Sequence, residues 1–270
     1  MTAYIHHLTY DFYNGLRDRS LLLMNYLFPL ALYLMMGAFM GGINPTFLET
    51  MIPAMIVIAV MTGTLLGMPN PLVSSRQAGV FRSFKINGVP AASILSIPVL
   101  SSLLHIVVVS AVIALTAVPL FRARLPVHWG YFILIELLTI FAMAAMGMLI
   151  GVISSNGRST ILISQLFFVP SMMLGGMLTP TSMLPAVMRK ITWILPASHA
   201  MNAWRALAFD LPASSNPFWS MLILLAGGLI AFGMAILLFQ WDNHNQQRRR
   251  SPFLAVFAMV PYILAVILLG

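Results

Sequence analysis

Long apolar stretches, separated by short polar loops, run through most of the chain. A run of about 20 apolar residues crosses a bilayer as an α-helix, because lipid offers no hydrogen-bond partner to an open backbone. The pattern therefore predicts an all-α polytopic membrane protein that forms a single transmembrane domain over residues 1–270. Seven spans are predicted, at 21–42, 52–73, 93–119, 129–153, 160–178, 218–240 and 252–269.

The composition narrows the class of function. Hydrophobic residues make up 60% of the chain and charged residues 7%, and the mean hydropathy is +0.94. So little polar chain remains that no soluble domain is expected, and if the protein does work across a membrane, the energy source is expected on another chain. The absence of cysteine excludes disulfides and thiolate metal sites, and no metal site is expected. Phosphate-binding, zinc-protease and nucleophile-elbow motifs are also absent, so we do not expect an enzyme.

The net charge of +8 comes from Lys and Arg residues scattered among the loops, without a basic face of interleaved aromatic residues. Nucleic acid is therefore not an expected partner. If the N-terminus is cytoplasmic, that side carries Arg17, Arg19, Arg76, Arg82, Lys85, Arg158, Arg248, Arg249 and Arg250. The other side carries Arg122, Arg124, Arg189, Lys190 and Arg205. This excess predicts a cytoplasmic N-terminus and an extracytoplasmic C-terminus.

Residues 4–18 precede the first span. Ile5, Leu8, Phe12 and Leu16 recur there at helical spacing, which predicts an amphipathic helix on the inner membrane surface. A frayed cytosolic tail is the alternative.

The loop between spans 2 and 3 is the longest cytosolic connection. Apolar and basic side chains alternate in it: Val80, Phe81, Arg82, Phe84 and Lys85. Gly79 and Gly88 bracket a short helix, which would dock in a groove of a soluble partner through exposed aromatic residues. An interfacial turn with its basic residues at the lipid headgroups explains the pattern equally well.

The segment 180–212 is cut by prolines into pieces too short to span a bilayer. The prolines are Pro180, Pro185, Pro196 and Pro212. Re-entrant or interfacial helices are therefore predicted, and Trp193 and Trp204 suit a membrane–water boundary.

Two ionisable residues, His105 and Glu136, fall inside predicted spans. Such residues either mark a substrate path or proton relay or form a structural hydrogen bond between helices. A contact between His105 and Glu136 is a further hypothesis. A cluster of thioether and aromatic side chains in span 5 is a candidate apolar lining, or else core and lipid-facing filler. Its members are Phe167, Phe168, Met172, Met173 and Met177.

Two motifs resemble those of the membrane subunits of ABC-2 type transporters, a group that includes drug, polysaccharide and teichoic-acid exporters. The stretch Arg76-Gln77-Ala78-Gly79-Val80-Phe81-Arg82-Ser83-Phe84-Lys85, followed by Gly88-Val89-Pro90, resembles the family's coupling helix, Arg-Glu-x-Gly-x-Leu-x-x-Leu … Pro. The series Gly176 to Pro180, Leu184-Pro185, Leu195-Pro196, His199 and Trp204-Arg205 resembles its Gly-x-x-x-Pro … Leu-Pro … Asn-Pro … Arg stretch.

The resemblance covers residues 4–240 and implies a six-span core, which makes span 7 an addition. In this chain Gln77 replaces the family's acid, and Leu195-Pro196 replaces Asn-Pro. The family implies pairing with a second copy or a homologous permease, and docking of cytosolic ATPase subunits that bind ATP and Mg. This chain itself would hold no cofactor.

The resemblance also implies residue roles. Coupling to the ATPase would involve Arg76, Gln77, Gly79, Phe81, Arg82, Phe84 and Lys85. Substrate would leave past Pro180, Pro185, Pro196, Trp204 and Arg205. We expect a permease in the cell membrane that exports a hydrophobic or amphipathic compound such as a drug, antibiotic, peptide or lipid. Export of a glycan is one alternative, although spans 2 and 5, expected to face the path, hold few aromatic residues. An ion-coupled secondary transporter is another, and a membrane scaffold or unrecognised enzyme is the third.

Overall fold

The computed structural model describes residues 2–43, 47–178, 181–241 and 251–269, and within these ranges it contains helices and no strand. The predicted all-α membrane class is thereby confirmed. The helices are α1 (Thr2–Arg17), α2 (Arg19–Ile43), α3 (Phe47–Gln77), α4 (Val80–Ile86), α5 (Ala91–Phe121), α6 (Trp129–Ile153), α7 (Gly157–Leu174), α8 (Ala186–Ile191), α9 (Pro196–Ala203), α10 (Pro217–Leu238) and α11 (Pro252–Leu269).

Six of these helices are long and apolar enough to cross a membrane: α2, α3, α5, α6, α10 and α11. Helix α7 occupies most of predicted span 5, residues 160–178, but begins with polar residues, so this span stays a prediction. The arginines Arg248, Arg249 and Arg250 and the proline Pro180 lie outside the described residues.

Helix α3 is the centre of the bundle. Every residue from 51 to 65 is buried, and α2, α5, α6 and α9 pack around it. A helix that is apolar on all sides belongs in the interior of a bundle, where protein surrounds it instead of lipid. The expectation that span 2 faces an open path is therefore wrong for the single chain, because its neighbours enclose it.

Helices α3 and α6 approach closely at a glycine. A side-chain carbon added at Gly147 would collide with the carbonyl of Thr64, which lies in the π-helical turn Thr62–Gly67 of α3. A second π-helical turn, Leu23–Leu27 in α2, places the buried Asn25 side chain against Gly63 and Gly67. These glycines allow helix backbones to approach, as small residues do in membrane bundles.

Helix α1 packs along the first half of α5. The Tyr4 hydroxyl lies 2.8 Å from that of Ser96, and the Phe12 ring stacks on His105 with centroids 4.4 Å apart. The packed stripe consists of Tyr4, His7, Leu8, Asp11, Phe12 and Gly15. Of the predicted apolar stripe, Leu8 and Phe12 pack against α5, whereas Ile5 is 57% exposed and Leu16 is also exposed. The packed stripe also includes the polar side chains of His7 and Asp11, and the facing part of α5 carries serines and His105. The position of α1 on the membrane surface stays a prediction.

Helix α11 belongs to the bundle and packs along α10. The Tyr262 ring is buried between the two helices against Gly227 and lies 5.9 Å from the ring of His199. The end of α11, at Leu269, reaches the wall of a pocket whose other lining residues lie between 175 and 214. The added span therefore covers the Pro-cut segment.

The bundle has two distinct ends. Phe81, the end of α6, the end of α10 and the start of α11 meet at one of them, here called the α4 end. The starts of α6 and α10 meet α9 at the other, here called the α9 end, through hydrogen bonds of Trp204 and Asn202.

Candidate functional site

Arg76 ties the end of α3 to the end of α6. Its side chain is 4% exposed, and its guanidinium donates to the carbonyl of Val152 at 2.7 Å, to that of Ser154, and at 3.5 Å to that of Gly151. The last carbonyls of a helix have no partner within it, so the guanidinium satisfies these groups. Here this contact is called the Arg76 clamp. The Gln77 amide extends it by donating to Ser155 O at 3.3 Å.

Two glycines set the direction of α4. Gly79 and Gly88 flank the helix with φ of +75° and +71°, a left-handed conformation that glycine adopts without a steric penalty. The chain thus turns sharply between the Arg76 clamp and α4.

Helix α4 has an anchored face and an open face. Phe81 is 4% exposed and packs against Phe239 with ring centroids 5.3 Å apart, so its predicted role as an exposed docking residue is wrong. Burial follows because α4 lies on the end of α10. Arg82, Lys85 and Ile86 point outward, and Ile86 is 79% exposed. The partly buried Phe84 lies against His7 of α1 with centroids 5.4 Å apart.

A cavity of about 360 Å³ lies between α1, α3, α4 and α5 near the α4 end. Its polar lining includes Asp11, Asn14, Asn25, Ser101, Ser102 and His105, beside apolar side chains such as Met68, Leu72 and Ile94. Burial raises the pKa of the Asp11 carboxyl above its ordinary range, against the opposing effects of Ser101 and His7. A cavity with both kinds of lining accommodates an amphipathic molecule.

His105 and Glu136 lie in different surroundings. The Tyr26 hydroxyl lies 2.6 Å from Nδ1 of His105, while its Nε2 lacks a hydrogen-bond partner among the described residues. Glu136 is buried near Ser110, although neither its Oε1 nor the Ser110 hydroxyl forms a hydrogen bond of normal geometry there. His105 therefore belongs to the cavity wall.

The five candidate lining residues of α7 and the chain after it do not share one surface. Phe168 and Met177 are buried in the core, whereas Met173 is 63% exposed on the outside of α7. Phe167 and Met172 are partly buried against the core. Helical geometry separates these positions, which sequence proximity had grouped.

The predicted re-entrant site residues that the structure describes either lie at helix starts or form hydrogen bonds to main-chain carbonyls. Pro185 precedes α8, and Pro196 is the first residue of α9. The buried Trp204 indole donates to Phe132 O at 3.1 Å, and Arg205 Nε donates to Pro212 O at 3.4 Å. All eight residues of α9 are buried, so this segment is held inside the protein.

Sequence reasoning missed several cavity residues, of which Asn25, Ser101 and Ser102 are buried inside long apolar helices. Polar residues within a span are costly unless they face protein or water, and that signal would have singled out all three.

Comparison with known proteins gives one match. The family model described as ABC-2 type transporter matches residues 4–209, which run from α1 to just beyond α9. No curated protein matches the chain, and no solved structure matches it.

Proposed function

The chain belongs to the ABC-2 type transporter family, and on that premise we propose that it is the permease of an ATP-driven exporter whose ATPase is a separate subunit. The family assignment makes the chain a multi-pass membrane permease of an ABC transporter. The direction of transport, the partner and the substrate class are the proposed parts.

The division of α4 into two faces carries this proposal. The outward face presents Arg82, Lys85 and Ile86, two cations beside an exposed apolar side chain, while Phe81 fixes the helix to the bundle. Such a face suits a partner groove that is apolar in its centre and acidic at its rim. ATP and Mg bind the partner, which changes shape with nucleotide state. Displacement of α4 then reaches α6 through the Arg76 clamp.

The proposed cargo is a hydrophobic or amphipathic compound, such as a drug, antibiotic, peptide or lipid. The mixed polar and apolar lining of the cavity behind α4 supports this class. Helix α4 lines the cavity together with α1, α3 and α5, so a shift of α4 changes the shape of the cavity. Two permease subunits, identical or homologous, provide the complete path, and cargo leaves past the segment that contains α8 and α9.

Docking is tested by co-purification of the chain with its ABC ATPase, which we expect a neighbouring coding sequence to encode. Lys85→Glu and Ile86→Asp should each abolish retention of the ATPase, because they place a negative charge on the proposed docking face. Both side chains are exposed, so the fold should tolerate either change. Arg124→Glu is the matched control, since it reverses an exposed charge at the opposite end of the bundle. Retention of the ATPase by both α4 variants would place docking elsewhere.

Cargo class is tested by stimulation of ATP hydrolysis in the reconstituted complex. Amphipathic compounds should stimulate it, and Ser102→Phe, which fills the cavity, should reduce that stimulation. Stimulation by oligosaccharides alone would favour a glycan exporter.

Orientation in the cell membrane is tested with single cysteines, which is direct because the chain has none of its own. We propose that the α4 end faces the cytoplasm. A membrane-impermeant maleimide added to intact cells should then label Lys190→Cys and leave Lys85→Cys unlabelled. The reverse pattern would invert the proposed orientation.

A further inference from the structure

A second pocket, of about 130 Å³, lies at the α9 end between α7, α8, α9 and the end of α11. Three basic side chains line it: Arg189, Lys190 and Arg205. The hydroxyl and amide side chains of Thr181, Ser198, Asn202 and Ser214 complete the polar part of the wall. The pocket therefore collects cationic groups and hydrogen-bonding groups in one place.

The charges in this pocket are only partly balanced. Glu49 acts electrostatically on Arg205, whereas Asp210 pairs with His128 at 3.4 Å. Even with Glu49 counted against Arg205, Arg189 and Lys190 leave an excess of positive charge. An excess of this kind at a concave surface attracts an anion.

One buried donor in the wall is unused. Ser198 is 5% exposed, and its hydroxyl finds no hydrogen-bond partner in the described part of the chain. Asn202, by contrast, is occupied, because its side chain bonds to Ser214 N, Ser215 O and Ser220 Oγ. A buried hydroxyl without a partner is unfavourable, and an acceptor oxygen placed in the pocket would relieve that cost.

The surroundings of the pocket match the headgroup level of a bilayer. Trp129, Tyr131 and Trp219 are exposed at the same end of the bundle, where aromatic side chains mark the membrane–water interface. Helix α8 exposes Val187 and Ile191 close to its two basic residues, so apolar and cationic surfaces adjoin there. Acyl chains would lie on the apolar surface while a charged group enters the pocket.

From these observations we propose that the pocket binds the phosphate-bearing headgroup of an anionic membrane lipid. Arg189 and Lys190 supply charge-assisted hydrogen bonds to the phosphate oxygens, and the Ser198 hydroxyl donates one more. Arg205, whose Nε donates to Pro212 O, adds a third cation to the wall. The proposal rests on the pocket alone and does not depend on the ATPase or on the cargo.

The test uses the full chain in nanodiscs. In one arm, nanodiscs of phosphatidylcholine contain a minor share of phosphatidylglycerol, and native mass spectrometry counts the phosphatidylglycerol molecules that stay bound. In the other arm, pure phosphatidylcholine nanodiscs are titrated with inorganic phosphate, and the thermal unfolding midpoint is followed. The double variant Arg189→Gln with Lys190→Gln removes two exposed charges, and Arg124→Gln is the control at the same end of the bundle.

We expect the double variant to bind phosphatidylglycerol about tenfold or more weakly, while the control binds it as the parent chain does. Ser198→Ala should weaken binding by a smaller factor without a change of charge. Binding of inorganic phosphate as well as the lipid would support the site and add soluble phosphate compounds to its ligands. Equal lipid retention in the parent and the double variant, or binding of inorganic phosphate alone, would overturn the proposal.

Discussion

Replacement of Arg76 tests whether the junction between α3 and α6 depends on one side chain. Arg76→Met keeps most of the apolar stem and removes the guanidinium, which leaves the carbonyls of Val152 and Ser154 without their donor. Each buried carbonyl that loses its partner costs about 1–3 kcal/mol, so the two together predict a loss of about 2–6 kcal/mol. A lysine has one charged point instead of a planar fork, so Arg76→Lys should lie between the parent and the methionine variant.

The assay is thermal unfolding of the purified chain, combined with retention of the ATPase. Arg76→Met should lower the unfolding midpoint by about 4 °C or more. Arg82→Met is the matched control, because it removes an equal charge six residues later from an exposed position. That control should leave the midpoint unchanged while it weakens ATPase retention. If the two variants unfold at the same temperature, the Arg76 clamp does not hold the helices together.

Two further predictions concern the packing of α3 against α6 and the buried carboxyl of Asp11. Gly147→Ala should lower the free energy of unfolding by about 1–3 kcal/mol, because the added methyl group meets the backbone of Thr64. Gly233→Ala should leave that free energy unchanged, because its methyl group meets no described atom within 4 Å. Equal unfolding midpoints for these two variants would contradict the close approach of α3 and α6. Burial raises the pKa of Asp11, so the folded chain holds the carboxyl proton more tightly than the unfolded chain does. The stability of the folded chain therefore falls as the pH rises through the raised pKa. Asp11→Asn should raise the unfolding midpoint at neutral pH and flatten its pH dependence in the acidic range, and a variant with unchanged pH dependence would refute this.

The class of fold follows from the sequence because span length and hydropathy depend on local composition. The arrangement of the spans does not, because several of them are apolar on every side and carry no periodic signal. Helix α3 illustrates this, since its first part is as uniformly apolar as the outer helix α10, yet every residue from 51 to 65 is buried. Only contacts with neighbouring helices decide which of two such helices lies at the centre.

In the candidate site too, the sequence predicts where an element lies but not which way its single side chains point. The glycines and basic residues predict the loop around α4, but they do not predict the burial of Arg76 and Phe81. Both side chains point into the protein because the ends of α6 and α10 lie beneath them, and those contacts join residues more than 70 positions apart. In α1, the predicted stripe and the packed stripe share Leu8 and Phe12, whereas the inward position of His7 and Asp11 depends on the facing surface of α5 and does not follow from hydropathy.

The Arg76 clamp binds main-chain carbonyls, and this has an evolutionary consequence. A carbonyl is present whatever the side chain, so substitutions at Val152, Ser154 or Ser155 leave the contact in place. Among homologues, the arginine should stay fixed while the positions opposite it drift, and paired substitutions across this junction would argue against that view. A junction of this kind leaves no trace in co-varying residues. It allows the loop after α6 to diversify without loosening the mechanical link between α3 and α6.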